Sequence, residues 1–338
     1  MKKIKCVVWD LDNTLWDGIL MEDKEVVLRP VVVEVIRELD KRGILNSISS
    51  KNDFTTAVRK LEAFSIEGLF LYPQINWNPK SVSLSRISKD LNIGIDTFAF
   101  VDDQAFERDE VAFTHPEVMC IADDKIGEIL NRQEFCPRFI TEDSAMRRTM
   151  YQNEIKRKQA EEAFTDIQEE FLKSLDMILE IREAQENDLK RAEELTVRTN
   201  QLNTTGITYS YDELKAYMKD PNHRLYIASL EDKYGAYGKV GIALVDCRDC
   251  WRIKLFLLSC RVMSRGVGPV FLNYLISEGM KTKKPVQAEF ISNNKNRMML
   301  INYRMIGFTK LRNQGDVEIM EYKGSFTSSP PDYLSLVV

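Results

Sequence analysis

The sequence predicts an α/β domain with a doubly wound parallel sheet, followed by a second α+β domain on a mostly antiparallel sheet. Three observations predict this. At 338 residues the chain is long enough for about two domains of ordinary size. Up to about residue 130, short apolar runs alternate with amphipathic helical segments, as in strands buried on both faces. Beyond Asp176 the pattern shifts to long strands joined as a hairpin, then to strands and helices in turn. The expected boundaries are 1–140 for the first domain, 141–175 for a helical connector, 176–325 for the second domain and 326–338 for an irregular tail.

In the first domain, IKCVVW reads as a strand and PVVVEVIRELDKRG as a helix ending at Gly43. ILNSIS is the second strand and TTAVRKLEAF a helix. KSVSLSRISKDLNI is a helix, TFAFVDD a strand, FERDEVAF a short helix and VMCIAD a further strand. The intervals Thr14–Glu34 and Ser50–Lys80 are too short for a sizeable cap domain, so a site at this sheet edge would be open to a bulky substrate. The connector, from MRRTMYQ to FLKSL, is charge-dense and reads as a solvated amphipathic helix. In the second domain MILEIREA is a strand, ENDLKRAEELTVRTNQL a helix, and RLYIASLEDKYGAYGKVGIALVDC a hairpin about a Gly/Tyr-rich turn. WRIKLFLLSC is a long strand running into the helix SRGVGPVFLNYLISEGM. VQAEFIS, KNRMMLINYRMIG and DVEIMEYKG then give strand, helix, strand.

Composition narrows the function. A hydrophobic fraction of 44%, a charged fraction of 29% and a net charge of −5 are those of a soluble protein with no pull toward nucleic acid or an anionic membrane. The apolar run after MKKIK is broken at Asp10, too early for a secretion signal, and a cytoplasmic location with reduced thiols is expected for the six cysteines. Two histidines, His115 and His223, argue against a His-rich zinc site. Cys6 and Cys120 read as core residues. Cys247 and Cys250 form a single CxxC without a second pair, and His223 is read as a base or, more simply, a surface residue.

The stretch CVVWDLDNTLWDG ends a strand in Asp10 and Asp12, which two-residue spacing points to one side. Such a pair at the carboxyl end of a strand suits a bridging divalent cation, and Mg2+ binds through a few carboxylates, waters and phosphate oxygens. Ser50, or Ser49 beside it, offers a hydroxyl after the second strand. Lys80 offers a cation at a helix start, and Asp102 and Asp103 close a later strand.

These four parts, in this order, resemble the motif set of the haloacid dehalogenase (HAD) superfamily over about the first 130 residues, with DLDNT matching the DxDxT of its phosphatase branch. The resemblance implies an uncapped HAD-like sheet with Asp10 as nucleophile and Asp12 as general acid and base. It implies Mg2+ held by Asp10, Asp12, Asp102 and Asp103, and phosphate contacts from Ser50, Lys80, Asn13 and Thr14.

A second unusual stretch is FLLSCRVMSRGVGPVFLNYLI, where an apolar strand meets clustered Arg and Gly before a helix. Backbone N–H groups at such a turn can cradle a phosphate. Arg261, Arg265, Gly266 and Gly268 loosely fit the R/Q-x-x-G-x-G/A pattern of GNAT acyltransferases, which implies contacts to a phosphopantetheine arm. Cys260 just before the turn reads either as a nucleophile activated by a helix N-terminus and two arginines or as a small buried hydrophobe.

The whole chain resembles the FkbH-like proteins of polyketide biosynthesis, which join an uncapped HAD domain to a GNAT-like domain. WDLDNTLWDG, SSKND, VDDQAFERDEV, LTVRTNQLNTTG and LLSCRVMSRGVG carry the likeness. It implies a glyceryl transferase/phosphatase acting on D-1,3-bisphosphoglycerate, with the glyceryl unit carried by Cys260 to the phosphopantetheine thiol of an acyl carrier protein. Asn200, Gln201 and Asn203 would be polar contacts near that thiol, or helix-end caps. Two alternatives stand beside it. One is a Mg2+-dependent phosphatase with an acyl-CoA-dependent N-acyltransferase module, and the other gives the second domain only a docking role.

Overall fold

The computed structural model describes residues 3–164, 168–325 and 330–338. The chain forms two compact units, Met1–Glu154 and Ile155–Val338.

Unit 1 begins with β1 (Cys6–Trp9), a short hairpin of β2 (Trp16–Asp17) and β3 (Val27–Leu28), and α1 (Pro30–Lys41). Then come β4 (Leu45–Ser50), α2 (Phe54–Ala63), β5 (Gln74–Ile75), α3 (Lys80–Leu91), β6 (Phe98–Asp102), α4 (Ala105–Thr114) and β7 (Met119–Ala122). The sheet order is β5-β4-β1-β6-β7, all parallel, as the continuous apolar runs predict. β1 is central, with β4 on one side and β6 on the other. The chain therefore changes direction at β1, and the carboxyl ends of these three strands flank the crevice where open sheets bind ligands. No cap domain intervenes: the two short intervals hold the β2–β3 hairpin, α2, a 3-10 turn and β5. A core of Trp9, Leu11, Trp16, Ile36, Ile48 and Val101 anchors this edge from below.

α5 (Glu142–Ala145) and α6 (Arg147–Ala163) follow, and α7 (Gln168–Lys173) begins beyond 165–167, which lie outside the described residues. The connector is more than a solvated helix. In unit 2, Arg157 of α6 is buried against Asp232 in two bonds of 2.7 and 2.9 Å, with its guanidinium over the Tyr237 ring at 3.8 Å. Phe171, Leu172 and Leu175 enter the core.

Unit 2 continues with β8 (Met177–Glu183), α8 (Leu189–Arg198), α9 (Tyr211–Lys219), β9 (His223–Asp232), β10 (Gly235–Asp246) and β11 (Trp251–Leu258). It ends with α10 (Val267–Lys281), β12 (Val286–Phe290), α11 (Arg297–Ile306), β13 (Phe308–Gln314), β14 (Val317–Tyr322) and β15 (Leu334–Val337). The eight-stranded sheet runs β13-β14-β12-β11-β10-β9-β8-β15. It is antiparallel except at β11–β12 and β8–β15, so the sheet is mixed.

Several expectations are corrected here. The tail is not irregular at its end: Leu334 is buried and Leu334–Val337 add a parallel strand to β8, while 326–329 lie outside the described residues. α8 stops at Arg198 rather than at Leu202, because Thr199 turns extended and Leu202 bonds to the end of β11. α9, β5 and β13 carry too weak or too short a pattern to be read in advance. β13 presents one buried residue in seven, as an edge strand can.

Candidate active site

In unit 1, Asp10 follows β1 directly, and its N–H bonds the Val101 carbonyl at 2.9 Å, which fixes it level with the end of β6. Lys80 is the first residue of α3, after Pro79, and its side chain is buried. Its ammonium donates to the Asp10 carboxylate and to the Ser49 carbonyl at 2.6 Å, and lies 3.2 Å from Asp102 Oδ2. Asp10, Asp102 and Asp103 form a cluster whose ligating oxygens all lie within 4.8 Å of one another. The Ser50 hydroxyl bonds Asp10, whereas the Ser49 hydroxyl points into the interior without a partner, so Ser50 rather than Ser49 faces the site.

The electrostatics follow from burial. Burial, opposed by Lys80, pushes the Asp10 carboxyl above the usual carboxylate range. Burial first, then repulsion from Asp10, raises Asp102 to about 7 and moves Asp103 the same way. Burial disfavours the Lys80 charge, yet Asp10 and Asp102 more than offset this and its pKa rises. One ammonium cannot neutralise three carboxylates. Asp103 Oδ1 is buried without a hydrogen-bond partner, and Asp102 Oδ2 has none beyond its ion pair with Lys80. Two such oxygens, converging with the Asp10 carboxylate, fit a hard, oxygen-seeking divalent cation.

Asp12 stands apart from that cluster, which corrects its expected role as a metal-binding carboxylate. Its Oδ1 accepts from Trp16 Nε1 at 2.8 Å and the Leu20 N–H at 3.1 Å, and its Oδ2 accepts from Asn52 Nδ2 at 2.9 Å. Asn52 also donates to Ser50 Oγ at 3.2 Å, linking the expected acid–base residue to the phosphate-side hydroxyl. Asn52 and Trp16 were not singled out in the sequence, although Asn52 lies two residues after Ser50. Thr14 and Asn13, expected as phosphate contacts, bond backbone N–H groups here. Thr14 Oγ1 accepts the Asp103 N–H at 3.1 Å, and Asn13 Oδ1 accepts the Gly18 N–H at 3.1 Å, with Asn13 itself at φ 52°. Both shape the loop that carries Asp12.

In unit 2, Cys260 is exposed, so it is not a small core residue. It opens a single 3-10 turn, Cys260–Val262, seven residues before α10, and so lacks the helix N-terminus expected for it. The arginines are also differently placed. Arg261 Nε donates to Ser259 Oγ at 3.3 Å. Arg265 is buried, 3.6 Å from Glu161 and over the Phe171 ring. The two glycines have packing reasons. Gly266 has φ +73°, and a Cβ there would lie 2.6 Å from the Tyr333 hydroxyl; a Cβ on Gly268 would meet Leu258 Cδ1 at 3.0 Å.

The LTVRTNQLNTTG block meets the end of β11. The Leu202 carbonyl accepts the Leu258 N–H at 2.9 Å, two residues before Cys260 in the chain, and Asn200 and Gln201, which precede Leu202, are exposed. Asn203 is buried, and its Oδ1 accepts the N–H groups of Thr205 and Gly206 at 3.1 and 2.9 Å, so it shapes the turn itself. His223 is buried rather than on the surface, with Nδ1 2.7 Å from Asp220. It pairs with Asp246, which is itself opposite Arg252, six residues of β11 from Leu258 and hence about 20 Å from the Cys260 end. Cys250 Sγ donates to Gln287 Oε1 at 3.5 Å, and burial raises the Cys247 thiol; neither joins a metal-holding group among the described residues. Burial keeps Cys6 protonated and pushes Cys120 up to about 11.

No family model and no curated protein matches the chain. Among solved structures, the N-terminal part of BF1531 from Bacteroides fragilis, containing a phosphatase domain complexed with Mg, is similar at 29% identity and a TM-score of 0.33, over 38% of this chain and 39% of that one. A mutant of the spermidine N-acetyltransferase SpeG from Vibrio cholerae is similar at 15% identity and a TM-score of 0.33, over 42% of this chain and 92% of that one. YncA from Salmonella typhimurium, described as a putative acetyltransferase with its cofactor acetyl-CoA, is similar at 16% identity and a TM-score of 0.33, over 45% of this chain and 98% of that one.

Proposed function

We propose that the protein is a two-site enzyme: a Mg2+-dependent phosphatase in unit 1 and an acyl carrier on Cys260 in unit 2. The observation that carries the reading is the convergence of Asp10, Ser50, Lys80, Asp102 and Asp103 at one sheet edge. When bound by Asp10, Asp102 and Asp103, Mg2+ would supply charge neutralisation for a phosphate monoester. An Asp10 oxygen attacks phosphorus, the P–O bond to the leaving group breaks, and the departing alkoxide takes its proton from Asp12. Water then attacks the aspartyl phosphate and gives its proton to Asp12. The bond to Asp10 breaks and inorganic phosphate leaves. Lys80 offsets charge on both nucleophile and phosphate, and Trp16, the Leu20 N–H and Asn52 hold Asp12 in place.

In unit 2 the Cys260 sulfur attacks the carbonyl carbon of an acyl phosphate. The C–S bond forms, the C–O bond to phosphate breaks, and phosphate departs with the electron pair while the thiol proton goes to solvent. The likeness to FkbH-like proteins supports D-1,3-bisphosphoglycerate as the donor and a phosphopantetheinylated acyl carrier protein as the thiol that finally receives the glyceryl group. The exposure of Cys260 supports the carrier role.

Hydrolysis of p-nitrophenyl phosphate tests the phosphatase part. Release should require Mg2+, vanish in Asp10→Asn and persist in Cys260→Ala. Metal-independent release, or full activity in Asp10→Asn, would sink the assignment.

A further inference from the structure

The parallel strands β11 and β12 pair only through Trp251, Arg252 and Ile253 opposite Val286, Gln287 and Ala288, although β11 runs on to Leu258 and β12 to Phe290. Where two strands inside a sheet part company, their facing N–H and C=O groups still need partners. An extended ligand rich in amides could supply them by adding as a strand.

In this chain the partners come from within. The Thr204 N–H donates to the Phe256 carbonyl at 3.0 Å, and the Thr204 carbonyl accepts the Ile291 N–H at 3.0 Å, so one residue bonds both sides of the gap. Thr204 Oγ1 accepts the Phe256 N–H at 3.1 Å, and the Leu202 carbonyl accepts the Leu258 N–H at 2.9 Å. Asn203 stands opposite Leu257 in antiparallel register. Leu202, Asn203, Thr204 and Thr205 are all buried. Asn296, wholly buried on the far side, fastens the segment: its Nδ2 donates to the Asn203 carbonyl at 2.9 Å and to the Ile291 carbonyl at 2.8 Å, and its Oδ1 accepts the Asn293 N–H at 3.2 Å.

We propose that Leu202–Thr205 is a built-in strand that closes the β11 edge, with Asn296 as its positioning residue, so that Cys260 takes its acyl group from a small acyl phosphate arriving from solvent and not from a coenzyme A thioester laid along that edge. This rests on the reading of Cys260 as the acyl carrier. The segment has a second effect. Its register sets Leu202 against Leu258, two residues before Cys260, so loosening it would free the backbone that leads into the Cys260 turn. Because Asn296 touches the segment and not Cys260, its effect on the thiol is indirect.

The test uses the full chain. Acetyl-coenzyme A is titrated by calorimetry, and in parallel the protein is treated with acetyl phosphate and weighed by intact-protein mass spectrometry. The expected result is no saturable coenzyme A binding and one acetyl group that Cys260→Ala lacks. Thr204→Val and Asn296→Ala should slow that acetylation about ten- to a hundredfold while the circular-dichroism spectrum, which reports a folded unit 2, stays unchanged. Saturable binding of acetyl-coenzyme A by the unmodified chain would overturn the closed edge, and this arm needs no variant to fold. Acetylation of both variants at the normal rate would overturn the positioning role. No coenzyme A binding together with no acetylation would uphold the closed edge and defeat the reading of Cys260 instead.

Discussion

Lys80 is a single ammonium set against Asp10 and Asp102, with Asp103 alongside, and its position at the first turn of α3 leaves it no alternative partner in solvent. Lys80→Ala should lower kcat for p-nitrophenyl phosphate by about 10^2- to 10^3-fold, the range for losing a preorganised charge at a reacting group. It should also tighten Mg2+ binding, because a competing cation has gone; weaker Mg2+ binding in a titration would contradict the arrangement. Asn52→Ala should cost about tenfold in kcat with little change in KM, since Asn52 orients Asp12 and does not hold the substrate. At this scale the sequence spoke clearly where a residue type was odd for its place: Asp10 and Asp12 ending a buried strand, and Asp102 with Asp103 ending another. Trp16 and Asn52 were silent because an indole in an apolar loop and an amide in a turn have common structural uses. The burial of Arg265 was not legible because its pairing with Glu161 and Phe171 depends on two helices more than ninety residues away in sequence.

Elements that depend on distant partners were the least legible. The expected helix ran to Leu202, yet α8 stops at Arg198 and Leu202–Thr205 bonds to β11 instead. β15 looked like a loose end because Pro330 and Pro331 precede it, yet Leu334 inserts into the core and pairs across from Met177. Leu334→Ala should therefore destabilise unit 2 by about 2–4 kcal/mol, as other buried leucines do, measured by urea unfolding; a change within error would mean that β15 is not docked in solution. Gly266→Ala should also destabilise, by about 1–2 kcal/mol, since its left-handed backbone and the Tyr333 hydroxyl 2.6 Å from the new Cβ both oppose a side chain. Tyr333→Ala should relieve the second cost and not the first. The strands and helices with strong periodicity, such as β1, β6, α1 and α10, were legible because local sequence and final burial agree.

At the scale of the whole molecule, each unit has its own core, and no helix among the described residues is long and apolar enough to cross a membrane. Mg2+ should accordingly slow hydrogen exchange around β1, β6 and the start of α3 and leave unit 2 unchanged. Acid should act on unit 2 by a separate route. Burial opposes the Asp188 charge, but Arg182, the Gln185 N–H and Lys239 outweigh it and hold Asp188 at about 2, while Arg248 holds Asp246 at about 2. An unfolded aspartate titrates near 4, so the unfolded chain binds these protons first. The stability they contribute is complete above about pH 4 and is lost between about pH 4 and 2. Asp188→Asn should flatten that acid limb in a circular-dichroism titration; an unchanged limb would mean that the pairing is absent. The measurement that bears most directly on the two-site reading is intact-protein mass spectrometry after incubation with Mg2+ and fresh D-1,3-bisphosphoglycerate. A glyceryl-sized adduct on the unmodified chain, absent in Cys260→Ala and still phosphorylated in Asp10→Asn, is the expected result. No acyl adduct on any of the three, with phosphate release that needs only Asp10, would contradict it.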